Sequence, residues 1–93
     1  MDNREFWVKL ASSDSTTIKE VHLACDSEDA IHPWAVSITV IYEGKVEETG
    51  HTFADSFEDG LVRLKKYGDR QIAKGYSIVE KRSHLKPEIK SGR

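Results

Sequence analysis

The sequence predicts an α+β domain: an antiparallel sheet of about four strands with one long helix packed on one face. Three observations carry this. Trp34–Tyr42 alternates Trp34, Val36, Ile38, Val40 and Tyr42 with Ala35, Ser37, Thr39 and Ile41, the pattern of a half-buried central strand. Thr52–Tyr76 has helical periodicity instead, with Phe57, Leu61, Leu64, Gly68 and Ile72 on one apolar stripe at about 100° per residue. Short polar clusters separate the strand-like runs, the spacing that makes neighbours pair as hairpins.

Glu5–Ala11 sets Phe6, Val8 and Leu10 against Trp7 and Lys9 and reads as the first strand. Ser12–Ser15, with Asp14, makes a turn. Thr17–Cys25 follows as the second strand, with Val21, Leu23 and Cys25 on one side and His22 and Ala24 on the other. Asp26–Pro33 is an acidic, solvated loop closed by Pro33, which disfavours helix at His32. It lacks the glycine and terminal glutamate of a calcium loop. After Trp34–Tyr42, Glu43-Gly44 is a tight turn in which Gly44 supplies positive φ. Lys45–Phe53 returns as a weaker fourth strand whose alternation breaks at Gly50, the mark of a bulge.

The helix has a start and a stop. Asp55 or Ser56 can cap its N-terminus, with Glu58 and Asp59 near the open amides, and Gly75 stands where a left-handed residue ends it. Gly68 on the apolar stripe implies close approach to the sheet. The competing reading breaks the segment at Tyr67-Gly68; one continuous helix is preferred. Tyr76–Lys81 offers a short fifth strand through Ile78 or Val79. The domain is expected to occupy residues 1–80, with 81–93 a basic, proline-containing, mobile tail.

Ninety-three residues suffice for one modest core. The net charge of −2 conceals a division: residues 1–60 carry thirteen acids and four bases, residues 61–93 three acids and ten bases. Such asymmetry suits a polyanion-facing surface, and it also suits a helix macrodipole. One cysteine excludes an internal disulfide, and the start MDNREFWVKL lacks the apolar core of a signal peptide. No run is long enough to span a bilayer, so the cytoplasm is the expected compartment.

Few residues point to chemistry. Cys25 continues an apolar strand face and is expected to be a buried, inert thiol. His22, His32, His51 and His84 have no zinc-ligand spacing, and no cofactor or metal is expected. His22 and His51 could meet across the polar face of the sheet, the weakest basis for an enzyme; none is expected. Trp34 lies in phase with the core. Trp7 lies out of phase, either exposed as a contact surface or covered by another element. Arg63, Lys66, Arg70 and Lys74 follow spacings of three, four and four, forming one ridge about 16 Å long at 1.5 Å per residue. This ridge is either a solvated face or a phosphate-binding one, weakened by Asp59 and Asp69 beside it.

The order of these motifs resembles the WGR domain of poly(ADP-ribose) polymerases and various bacterial proteins, over about Trp34 to Tyr76. The similar features are the strand Val36–Tyr42, the turn Glu43-Gly44-Lys45 with Val46 after it, Phe53, the helix Ser56–Ala73 and the closing Lys74-Gly75-Tyr76. Phe6-Trp7 resembles the family's aromatic opening strand. The resemblance implies a sheet wrapped around one helix and binding to DNA ends or structured nucleic acid. Glu43 stands where the family has its tryptophan, and Lys45 where it has arginine, keeping a cation without the bidentate fork. The expected function is therefore a non-catalytic module contacting DNA or RNA through Lys45 and the ridge of Arg63, Lys66, Arg70 and Lys74. The alternative is a protein-interaction domain using an exposed sheet edge, the Trp7 side or the acidic loop.

Overall fold

The computed structural model describes residues 4–25 and 33–84. Its elements are β1 (Glu5–Ala11), β2 (Thr17–Cys25), β3 (Trp34–Tyr42), β4 (Lys45–Ala54), α1 (Phe57–Ala73) and β5 (Ser77–His84). All pairings are antiparallel, and the sheet has five strands in the order β4-β3-β2-β1-β5. The expectation of about four strands is corrected. β5 is eight residues long, continues past residue 80 to His84 and pairs along all of β1. Its periodicity is hidden by a register shift opposite Lys9 and Leu10 and by exposure along its whole length. The acidic loop from Asp26 to His32 and the tail from Leu85 onward lie outside the described residues.

Register turns alternation into a core. Phe6 lies opposite Leu23 and Val8 opposite Val21; Leu23 in turn faces Val36, and Cys25 faces Trp34. Opposite residues in antiparallel strands share a face, so the apolar sets of three strands fall on one side. There Val8, Leu10, Val21, Leu23, Trp34 and Val36 are buried beneath Phe57 and Leu64 of α1. Trp34 meets the Phe57 ring edge-on at 5.3 Å, and the Arg4 guanidinium lies 4.5 Å over Phe57.

The turns follow local chemistry. In the β1–β2 turn the Asp14 carboxylate accepts from the Ser12 hydroxyl at 2.9 Å and from the Thr16 hydroxyl and amide at 2.8 and 3.1 Å. Those bonds, led by the Thr16 hydroxyl, hold its carboxyl below the ordinary carboxylate range. Between β3 and β4, both Glu43 (φ 49°) and Gly44 (φ 83°) have positive φ, the requirement of a two-residue hairpin whose twist matches its strands. The bulge of β4 is not at Gly50, which sits in register opposite Ile38. Val40 pairs Glu48 while Ile41 pairs Val46, so Glu47 is the extra residue.

The helix is continuous through Gly68. Ser56 is its N-cap, accepting from the Asp59 amide at 3.0 Å. At the other end the Tyr76 amide donates to the Gln71 carbonyl and the Gly75 amide to the Ile72 carbonyl, each at 3.0 Å, with Gly75 at φ 103°. This is a Schellman cap. The buried face, however, is Phe57, Gly60, Leu64, Gly68 and Gln71, with Leu61 partly buried. Gln71 is 4% exposed and Ile72 45%, so the expected stripe is displaced by roughly 40° around the helix axis. Close approach occurs at Gly60, where a Cβ would collide with Leu23 Cδ1 and lie 3.1 Å from Cδ2. At Gly68 a Cβ would meet nothing within 4 Å, which corrects the expectation for that residue.

These two glycines therefore predict opposite responses. Gly68→Ala should raise stability by about 1 kcal/mol, the helix-propensity difference. Gly60→Ala should fall short of it by about 1–3 kcal/mol, because the fully buried Leu23 side chain must shift to admit a Cβ. Urea unfolding of both variants checks this, and equal stabilisation by the two alanines would contradict the seating of α1 on Leu23.

Candidate nucleic-acid interface

Displacement of the buried stripe decides where the cations go. On the expected stripe, Arg63, Lys66, Arg70 and Lys74 would occupy the side of α1 away from the sheet. Instead Arg63, Lys66 and Arg70 lie on its flank and line a depression of about 410 Å³ whose other walls include Val36, Ile38 and Thr52. Lys74 lines a second depression of about 320 Å³ with Lys19, Val40, Glu48 and Gly50. Both depressions are lined by Ile38 and Tyr67, so they adjoin, end to end, as a trough between α1 and the edge strand β4. Four of the six sequence-predicted contact residues are thus brought together.

Lys45 and Trp7 stand apart. Lys45 is exposed opposite Tyr42, beside the β3–β4 turn, and lines neither depression. Trp7 is half-buried and lies on the sheet face opposite α1, its ring stacked on His22 at 4.8 Å and 8°, with the Arg82 guanidinium 4.9 Å from its centroid. No described element covers it; its own sheet neighbours occupy the ring.

Ion pairing sorts the ridge. Arg63 Nε is 3.2 Å from Asp59 Oδ2, and Lys65 Nζ is 3.0 Å from Asp69 Oδ2, both one helical turn apart. Asp69 is thus held by Lys65, away from the ridge. Among the described residues no carboxylate lies within ion-pair distance of Lys66, Arg70 or Lys74. Burial pushes the Tyr67 phenol above its ordinary value, with Tyr76 and Glu48 adding to the effect and Arg70 opposing it. Tyr67 therefore marks the point where the cationic lip, the trough floor and Glu48 converge.

Sequence reasoning missed Lys19, Gly50 and Tyr67. Lys19 is in phase with Val21 and Leu23, so a cation on an apolar face was the available signal. Its ammonium donates to Gln71 Oε1 and lies 4.6 Å over the Tyr76 ring and 6.0 Å from that of Tyr67. That partnership explains why Gln71, rather than Ile72, turns inward.

The other candidates are not assembled. His22 and His51 lie on either side of the same residue, Ser37 of β3, which separates them in register. His22 accepts or donates at 2.8 Å with Glu5, and His51 packs edge-on against Phe53 at 5.6 Å. Cys25 is half-buried rather than buried. Among the described residues no group of three or more His, Cys, Asp or Glu could hold a metal ion, and no helix is long and apolar enough to cross a membrane. No protein-family model, curated protein or solved structure matches this chain.

The Tyr67 environment gives a pH test. Its folded pKa lies above the unfolded value of 10.0, so the stability it contributes is complete below that pH and is lost as pH rises through the folded pKa. Tyr67→Phe cannot ionise, and its urea midpoint should decline less than wild type between about pH 9 and 11. Superimposable profiles would contradict the burial of this phenol.

Proposed function

We propose that this chain is a non-catalytic recognition module, cytoplasmic, that binds nucleic acid along the α1 flank. The observation that carries this is the row Lys66, Arg70 and Lys74, unpaired with any described carboxylate, on the lip of a trough. These side chains would neutralise phosphates and release the cations condensed along the nucleic acid, a large source of affinity for a polyanion. The excess of bases after residue 60 and the motif order resembling the WGR domain support the same reading. Lys45, exposed beside the β3–β4 turn, stands apart from this row and is not counted with it.

A second reading has its own observation. β4 is exposed along nine of its ten residues, and its segment from Thr49 to Phe53 has no Asp, Glu, Lys or Arg. An uncharged edge is a template for an added strand from a protein partner. β5, at the other edge, is blunted by the consecutive charges Glu80, Lys81 and Arg82.

If Arg63, Lys66, Arg70 and Lys74 each neutralise one phosphate, log K for duplex DNA should fall against log salt with a slope near −3.6. Lys66→Ala/Arg70→Ala should flatten it by about 1.8. Absence of binding at low salt, or a salt-independent affinity, would contradict the proposal. A protein partner that ignores the double alanine change but is lost when proline enters the Thr49–Phe53 segment would move the function to the β4 edge.

A further inference from the structure

Building on the proposed binding to nucleic acid, we infer that the trough selects a single strand over a duplex. The two lips differ in charge. On the helix side stand Lys66, Arg70 and Lys74, with Asp59 of the same helix paired to Arg63; on the β4 side Glu48 lines the Lys74 end of the trough, where the Lys19 ammonium is engaged by Gln71. One phosphate backbone can follow the cationic lip. A second backbone, which a duplex must bring, would be set toward the acidic one, where like charges repel.

The floor favours the same choice. Between the lips lie Ile38, Val40 and the ring of Tyr67. A duplex keeps its bases stacked inside and leaves such a floor unused. A single strand has bases free to turn away from the backbone and lie on apolar and aromatic surface. The depressions of about 410 and 320 Å³ are each of the size that small-molecule ligands occupy.

Gly50 keeps the trough open. It lies in register opposite Ile38, lines the second depression, and carries no side chain to cover the floor. Neither fold nor backbone demands glycine there. A Cβ would meet nothing within 4 Å, and its φ is not in the left-handed region. Glycine inside a strand weakens it and commonly marks a place where something else approaches. A large side chain at this position would therefore obstruct the floor while suiting the strand.

The test uses fluorescence anisotropy with a labelled oligothymidylate of about 12 nucleotides and the same strand annealed to its complement. The single strand should bind at least about tenfold more tightly than the duplex. Gly50→Phe should weaken single-strand binding by about tenfold, the equivalent of one lost base contact, without lowering the melting temperature, and should weaken duplex binding by a smaller factor. Lys66→Ala/Arg70→Ala should weaken both. Equal or tighter duplex binding, or a Gly50→Phe variant that holds the single strand as well as wild type, would overturn the inference while leaving the nucleic-acid reading in place. Failure of wild type to bind either probe would overturn both.

Discussion

The contact between Gly60 and Leu23 sets the position of everything else in this domain. Leu23 is fully buried at the centre of the apolar sheet face, and the helix reaches it only because residue 60 has no side chain. Close packing of backbone against a branched side chain permits little rotation. Phe57 and Leu64, a turn before and after, then fall against Trp34 and the core strands. The N-cap at Ser56 and the Schellman turn at Gly75 limit the helix at both ends, so length and rotation are specified by different residues.

Rotation has an electrostatic consequence. A helix seated on Ile72 would present its cations away from the sheet. Seated on Gly60 and Gln71, it aims Arg63, Lys66 and Arg70 along its flank over the β3–β4 side. Lys19 takes part by satisfying the Gln71 side chain, since a glutamine amide at 4% exposure without a partner would be costly to bury. The polar pair thus lies at the boundary between core and trough. It stabilises one orientation of the helix and gives the trough one of its walls.

Much of this architecture was legible in the residues. The bounds of β1, β2 and β3 coincide with their alternation, and Ser56 and Gly75 act as the capping rules require. What escaped detection depended on distant partners. Ile72 outranks Gln71 on any apolarity scale, and nothing local reveals that Lys19, 52 positions away, satisfies Gln71. Gly68 drew attention as the glycine in phase with the stripe, whereas the crowded one is Gly60, identified only by what Leu23 does across the interface. Glu47 is bulged instead of Gly50 because the ladder, not the glycine, fixes the register. The ridge itself was plain from its spacing; its proximity to β4, and hence the trough, was not.

The orientation of α1 is accessible to side-chain NMR in solution. NOEs should connect the Gly60 α-protons with the Leu23 methyls, and the Gln71 side-chain amide should show slowed exchange with water. The Ile72 methyls should show no cross-peaks to Val21 or Val36. Strong Ile72 cross-peaks to those valines, together with a freely exchanging Gln71 amide, would place the helix on its most apolar stripe and turn the cationic ridge away from β4.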